Sequence, residues 1–368
     1  MSCESLFTIH YSLFMLFNLT TKLSIKDQAA FAQRLAFLIK ADVPILESLN
    51  MIRKQTKSSA RTKILTGVIK DVTSGQYLSA SLAKYQNTFG PFAINLIKVG
   101  EEGGILDQNL EHLAEELKKR HELKRKIMGA MIYPAFITLA TLGVTSMITI
   151  FIFPKLMPIF QSVGASLPIT TRALIFMSNF LLHYGVFMIL GLIAAGIGFM
   201  FLYKKVTPVN LTVNRLMLAV PIFGHLFQCY HMANLCRTMG LLLEGHVGII
   251  SAANITADAT VNKLYKREIY RLGEEISRGR KIASYLETRT GLFPEIVPQM
   301  ISIGETAGNL SKTLMYLSDH YESEVSDITK NLSNSLEPVL LVVMGIVVGF
   351  VAVSVITPIY ELTANIHK

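Results

Sequence analysis

The sequence contains one stretch twice, and this repeat constrains the fold more than any other feature. Gly100-Glu101-Glu102-Gly103-Gly104 recurs as Gly304-Glu305-Thr306-Ala307-Gly308, 204 positions further on. Further matches at the same distance are Phe89 with Phe293, Pro134 with Pro338 and Pro154 with Pro358. Solenoid repeats have periods of about 20 to 50 residues, so a period this long indicates a duplicated domain. Each copy continues into a long apolar segment.

The spacing of the two copies differs near their first helix. Arg237 follows Arg34 by 203 positions, whereas Val247-Gly248-Ile249 follows Val43-Pro44-Ile45 by 204. We therefore expect one inserted residue between these two points. Arg34 and Arg237 are candidate residues of a partner interface.

The composition indicates a membrane protein. Hydrophobic residues make up 51% of the chain, charged residues only 17%, and the mean hydropathy is +0.42. Soluble domains have roughly a quarter of their residues charged. The formal net charge of +9 would suit nucleic acid or an anionic membrane face, and its clustering beside apolar segments favours the membrane.

Apolar segments of membrane-spanning length set the predicted topology. Residues 131–153 contain no charged residue and no His, and at about 1.5 Å per residue such a helix crosses a bilayer core. Lys and Arg crowd residues 118–126 and positions Lys204-Lys205, which predicts that both polar domains face the cytoplasm, with three spans, the amino terminus inside and the carboxy terminus outside. The predicted organisation is an apolar amino-terminal segment at 1–23, a first cytoplasmic domain at 24–128, a first span at 129–154, an external loop and interfacial helix at 155–183, a second span at 184–203, a second cytoplasmic domain at 204–330 and a third span at 339–360.

The amino-terminal segment 1–23 fits neither a secretory signal nor a full span. It has no Lys or Arg ahead of its apolar residues, and it is too short to predict a crossing helix. Two interpretations stay open: an amphipathic anchor, or a misassigned start with translation beginning at Met15.

Helical periodicity predicts an all-α fold with two homologous six-helix bundles. Ser24 is a suitable N-cap, and Phe31, Leu35 and Leu38 follow at helical spacing. Pro44 suits a first helical position, because its fixed φ matches the helix. The sequence contains no segment with a strand pattern.

The repeated turn is the main candidate site, and it allows two interpretations. Gly104 and Gly308 suit a left-handed helix cap, and the glutamates Glu101 and Glu305 either decorate that capped turn or contact a partner. A phosphate-binding loop is disfavoured, because the glutamates would repel phosphate and no Gly-Lys-Ser/Thr follows.

Other candidate positions lie at the apolar segments. Pro134 and Pro338 either start a helix or form a hinge, and Gly345 and Gly349 permit close approach of another helix in lipid. The sequence has no HExxH, GxSxG or CxxC motif, so we expect no enzymatic activity, no cofactor and no metal site. Cys229 and Cys236 are expected to be buried thiols on an apolar helix face.

Several of these motifs in fixed order resemble a known family. The two Gly-Glu stretches, the segment from Phe153-Pro154-Lys155 to Gly164-Ala165-Ser166-Leu167-Pro168 and the closing Glu337-Pro338 helix are similar to those of inner-membrane platform proteins of type II secretion and type IV pilus systems. One departure is Ala41-Asp42, where members usually have Ala-Gly before Val-Pro.

The resemblance implies a non-enzymatic scaffold in the bacterial inner membrane. It would link a cytoplasmic hexameric assembly ATPase to pilin or pseudopilin subunits, contact other inner-membrane assembly proteins, form a homo-oligomer and bind no nucleic acid. The alternative is a small-molecule transporter or membrane sensor with helical cytoplasmic domains.

Overall fold

The protein is all-helical in the residues that the structure describes. This computed structural model describes residues 23–56, 58–152, 154–155, 158, 169–205 and 223–366, and every regular element in these ranges is a helix. The predicted all-α class is confirmed. The predicted amino-terminal segment, apart from Leu23, and most of the predicted external loop lie outside the described residues.

The described residues between 23 and 152 form six helices. They are α1 (Ile25–Lys40), α2 (Ile45–Lys54), α3 (Ser59–Thr73), α4 (Leu78–Ala83), α5 (Gln86–Gly103) and α6 (Leu106–Met147), the last continued by a π-helical turn at Ile148–Ile152. The next described helix is α7 (Ile169–Lys205).

The second copy repeats this order. Its helices are α8 (Phe223–Glu244), α9 (Ile249–Ala259), α10 (Lys263–Ser277), α11 (Ile282–Leu286), α12 (Ile296–Thr306) and α13 (Leu310–Ile366), with a 3₁₀ turn at Glu287–Arg289 after α11. We call α1 to α6 the first repeat and α8 to α13 the second repeat.

Local sequence explains where α1 begins and ends. The Ser24 hydroxyl accepts a hydrogen bond from the backbone N–H of Asp27, as predicted for an N-cap. After α1, Asp42 adopts a positive φ of 59°, a conformation that Asp tolerates better than most residues. Pro44 is the N-cap of α2 rather than its first helical residue.

The two repeats align at 204 positions throughout, so the predicted insertion is wrong. Helices α1 and α8 end at Lys40 and Glu244, and the positive-φ residues that follow are Asp42 and His246. Arg237 therefore corresponds to Gln33, not to Arg34. The spacing of 203 resulted from matching two arginines by residue type. The helix ends and the turns after them, which packing determines, are spaced by 204.

The chain divides into two compact units. The first, which we call the helical unit, contains the described residues up to Arg125 and those from 223 to Val325, and therefore both repeats. Each repeat is built around large, fully buried apolar side chains, which are Leu35, Leu49, Leu78, Leu82, Leu96, Ile97 and Leu110 in the first and Met232, Leu242 and Tyr265 in the second.

The second unit, the apolar unit, contains the remaining described residues from Lys126 to 205 and from Ser326 to 366. Two helical stretches, Leu106–Ile152 and Leu310–Thr357, are long and apolar enough to cross a membrane. A third candidate is α7, which bends by 46° between its parts Ile169–Phe180 and His183–Gly198. The bend lies where the sequence separated an interfacial helix from a span.

Polar side chains join the helices of the apolar unit. The Thr171 hydroxyl donates to the backbone carbonyl of Ser354 at 2.9 Å, and the Ser178 hydroxyl donates to that of Thr149 at 2.8 Å. Leu174 and Val351 are buried between them. Hydrogen bonds of this kind hold helices together where no water competes.

Pro134 and Pro338 do not start helices, so that interpretation is wrong. Pro134 lies inside α6 and Pro338 inside α13, each far from its helix ends. The hinge interpretation stays a prediction. Gly345 and Gly349 lie further along α13, where an added Cβ would meet no described atom within 4 Å.

Candidate functional site

The glycines of the repeated turn have the predicted left-handed conformation. Gly104 ends α5 with a φ of 69° and Gly308 follows α12 with a φ of 68°. The turn closes through the backbone N–H of Ile105, which donates to Gly100, and through that of Asn309, which donates to Gly304, both at 2.9 Å. These bonds satisfy carbonyls at the end of the helix.

The first glycine of each turn lets the next helix pass very close. A Cβ on Gly100 would lie 2.9 Å from the Cα of Leu106, and one on Gly304 would lie 2.9 Å from the Cβ of Thr313. Real Cβ atoms do not approach so closely, so both positions require glycine for packing. The close crossing fixes the angle at which α6 and α13 leave the turn.

The glutamates of the turn cap neighbouring helices. The Glu101 carboxylate accepts backbone hydrogen bonds from Leu78 at 2.5 Å and Ser79 at 2.9 Å, the first two residues of α4. In the second repeat, Glu305 accepts the bonds of Ile282 at 2.8 Å and Ala283 at 3.1 Å, the first two residues of α11.

This bidentate contact gives the repeated glutamates a structural role that neither interpretation of the sequence anticipated. The first backbone N–H groups of a helix have no partner inside it, and a carboxylate is their strongest acceptor. The only signal in the sequence was that a glutamate is kept in both copies. The contact joins residues 22 and 23 positions apart, which periodicity does not reveal. A partner role for Glu101 and Glu305 is a separate, untested prediction.

A cluster of charged side chains joins the two repeats around Arg237. The Arg237 guanidinium lies 2.9 Å from Asp319 and 2.6 Å from Glu322 of its own repeat, and its Nε lies 3.6 Å from the Glu116 carboxylate of the first repeat. The side chains of Arg237 and Glu116 are 6% and 0% exposed. Arg237 is therefore buried between the repeats, and its surroundings explain its charge without an external partner.

Two further contacts cross between the repeats. Arg120 pairs with Glu116 on its own helix and donates to the hydroxyl of Thr238 in the second repeat. Lys119 lies 3.6 Å from Asp319. Glu116, Lys119 and Arg120 of α6 thus form one side of an interface whose other side is α8 and α13.

Arg34 lies in a different environment from Arg237. It is exposed and donates a long hydrogen bond of 3.4 Å to the side chain of Gln55. Beside it, Phe37 is 72% exposed. The structure therefore brings Arg237 into the interface between the repeats and leaves Arg34 on the surface of α1.

The two described cysteines are buried, as predicted. Cys229 and Cys236 lie on α8 at 0% and 5% exposure. Burial raises the pKa of the Cys229 thiol to about 11 and that of the Cys236 thiol to about 12, because the thiolate is poorly solvated there. Thiols with such pKa values remain protonated and unreactive at neutral pH.

His231, which is half-buried, lies on the same helix as these thiols. His231 packs its ring on Tyr265 with 4.8 Å between ring centroids. Burial lowers the pKa of His231 to about 4, because the imidazolium loses its hydration. The side chain is therefore neutral at physiological pH.

Together, these features define a class of protein: a helical protein with a duplicated domain, in which the same turn hydrogen bonds occur in both copies and each copy continues into an apolar helix of membrane-spanning length. The family model described as type II secretion system (T2SS), protein F, matches residues 31–154 and 235–358, and the chain belongs to this family. The two matched segments are themselves 204 positions apart, in agreement with the structural alignment of the repeats.

Relatives with names from two related machines share most of the chain. The type IV pilus assembly protein PilC of Pseudomonas aeruginosa is 31% identical over 336 residues, covering 91% of this chain and 90% of that protein. The type IV pilus assembly protein PilC of Thermus thermophilus is 31% identical over 343 residues, covering 93% and 84%. The type II secretion system protein F of Vibrio cholerae is 26% identical over 340 residues, covering 92% and 83%.

Proposed function

We propose that this chain is the inner-membrane platform of a type IV pilus or type II secretion machine. In this role it couples a cytoplasmic assembly ATPase to the addition of pilin or pseudopilin subunits. The observation that carries the proposal is the double family match across both repeats, together with relatives that cover the chain almost end to end.

The architecture supports a mechanical role. Each repeat continues without a break into an apolar helix, since α6 and α13 start beside the capped turns and run on into residues of membrane-spanning character. The turn is closed by backbone bonds, and a glutamate ties it to a neighbouring helix. A force applied to the repeat would therefore reach the apolar helix through continuous hydrogen-bonded backbone.

Pilus assembly is the first candidate and type II secretion the second. The pilus assembly relatives named above are 31% identical to this chain, and relatives named type II secretion system protein F are 26–28% identical. The test is deletion of the gene in its native host, followed by counts of surface pili and assays of secreted protein. Loss of pili with normal secretion supports the first candidate, and the reverse supports the second. If the deletion changes neither, the platform function is refuted.

The proposed topology keeps both repeats in the cytoplasm, because basic residues flank the apolar segments at 118–126 and at Lys204-Lys205. Cysteines in place of Ser162 and Ser166, which lie outside the described residues, should react with a membrane-impermeant thiol reagent added to intact cells. A cysteine in place of Lys63 on α3 is the control and should react only after lysis. The reverse pattern would refute the orientation.

A further inference from the structure

The two repeats contact each other through different faces. The face that the first repeat uses is more exposed in the second repeat, and the face that the second repeat uses is more exposed in the first. In the first repeat, Phe92 and Leu123 are each 3% exposed. Their equivalents in the second repeat are Ile296, which is 39% exposed, and Asp327, which is also exposed. We call the surface of α12 and α13 that contains the exposed Ile296 and the half-buried His320 and Glu324 the open α12–α13 face.

The reverse contrast holds for the first helix of each repeat. Residues 235–242 of α8 are all buried, so this helix is covered on every side. In the equivalent stretch of α1, Gln33, Arg34 and Phe37 are exposed. Beside them lies a groove of about 720 Å³ between α1 and α6, which we call the α1–α6 groove.

The α1–α6 groove is the counterpart of the surface that the first repeat covers on the second. Its lining includes Gln33, Phe37, Glu115 and Lys118. The residues 204 positions later are Arg237, Leu241, Asp319 and Glu322, three of which form the charged cluster between the repeats. In the second repeat, this docking surface is covered by residues of the first repeat. In the first repeat, no described residue of the same chain covers the equivalent surface.

We propose that the α1–α6 groove of one copy of this chain binds the open α12–α13 face of a second copy. The contact would repeat between chains the arrangement that joins the two repeats within a chain. It commits each surface to one occupant, and each surface has a counterpart in the opposite repeat that is already in contact within the chain.

At the contacts between the repeats made by Glu116, Lys119 and Arg120, the exchanged contact brings one pair of opposite charges together and no like charges. The contact of Arg120 with Thr238 becomes Glu324 with Arg34, a new pair of opposite charges.

The ion pair of Glu116 with Arg237 becomes His320 with Gln33, an imidazole facing an amide. The pair of Lys119 with Asp319 becomes Ser323 with Glu115, a hydroxyl donor facing a carboxylate. Because the residues on the two sides differ together, the exchanged contact places no like charges opposite each other. Like-charge contacts would exclude a partner, so their absence here favours this pairing.

The exposed apolar residues also match. Phe37 at 72% and Ile296 at 39% exposure are the equivalents of Leu241 and Phe92, which are buried at 7% and 3%. Burying such side chains is the main favourable contribution to association. A contact of this heterologous kind closes into a ring or continues as a chain, according to the rotation between copies.

The test uses two full-length copies with different tags, expressed together in membranes. One copy has Arg34→Cys and the other Glu324→Cys, both in a Cys3→Ser background; Cys229 and Cys236 are buried and stay. A bismaleimide should give a cross-linked product that contains both tags. The matched control replaces Arg34→Cys by Lys63→Cys, on the exposed side of α3, and should give at least tenfold less product.

Charge reversal separates this pairing from a chance encounter. With Gln33→Cys and His320→Cys as reporter cysteines, Arg34→Glu on one copy or Glu324→Arg on the other should each lower cross-linking about two- to fivefold, the range for a partly exposed ion pair. Both changes together should restore it.

Three results would overturn the proposal. The first is equal product from the Arg34→Cys and Lys63→Cys copies. The second is a product dominated by two Arg34→Cys copies, which would show a symmetric contact instead. The third is cross-linking of the groove to another protein, such as the assembly ATPase, without product between copies. Unchanged thermal unfolding of each variant shows that the loss is not due to misfolding.

Discussion

Replacing Glu101 by glutamine should destabilise the first repeat. The carboxylate accepts two backbone bonds at the start of α4, and glutamine keeps one acceptor oxygen but turns its NH₂ group towards the second N–H. One backbone donor is then unsatisfied, at a cost of about 1–3 kcal/mol. An exposed substitution without such a role changes stability by no more than about 0.5 kcal/mol.

The neighbouring Glu102→Gln variant is a matched control. Glu102 is 61% exposed and its one ion pair, with Lys98, is 3.8 Å long. The two variants change the same chemical group one residue apart, so they differ mainly in the bonds to α4. Glu102→Gln should have unchanged stability, since exposed pairs of this kind contribute little.

Two measurements on the full chain in detergent test the prediction. Thermal unfolding followed by circular dichroism should show a midpoint lower by about 2–12 °C for Glu101→Gln. Hydrogen exchange should be faster in the α4 peptide that contains Leu78 and Ser79, and unchanged in the equivalent peptide with Ile282. An unaltered melt and unaltered exchange would refute the capping role, and reduced ATPase binding in that same variant would then support the partner interpretation.

Three other predictions follow from the helical unit. Arg237→Ala should lower the free energy of unfolding by about 1–3 kcal/mol, because Asp319 and Glu322 lose their donor and the buried Glu116 carboxylate keeps only Arg120. Arg34→Ala should change it by less than about 0.5 kcal/mol in the same chemical denaturation. Gly104→Ala should cost about 1 kcal/mol because of its positive φ, while the adjacent helical Gly103→Ala should be neutral or stabilising; equal effects would argue against the left-handed cap. The third concerns pH. Because the pKa of His231 is lowered in the folded protein, the unfolded chain binds a proton more readily, so stability should fall as the pH drops from about 6.5 to about 4. Thermal melts across that range should show a weaker pH dependence for His231→Gln.

Sequence periodicity predicted the elements that depend on local chemistry. The N-cap at Ser24, the left-handed glycines and the buried thiols follow from residue type and helical spacing. Near Arg34, the sequence alignment of the two copies was wrong by one position, because Arg34 and Arg237 are the same residue type. The positive-φ turn residues Asp42 and His246 show that the correct offset is 204.

Long-range contacts were not predictable in the same way. The bond from Glu101 to α4 and the burial of Arg237 against Glu116 depend on how helices cross, and nothing in a single sequence reports that geometry. The unbroken burial of α8 had no such signal either: residues 235–242 contain two polar side chains, Arg237 and Thr238, and the equivalent stretch of α1 also contains two, Gln33 and Arg34.

The platform role is tested most directly by purifying the full-length chain from membranes of its native host with a mild detergent. If the chain is the platform, a cytoplasmic ATPase of the assembly machine and a pilin or pseudopilin should be recovered with it, and both should be absent from a parallel purification of an unrelated tagged membrane protein. Recovery of the chain without either partner, from cells that are actively assembling pili or secreting protein, would contradict it.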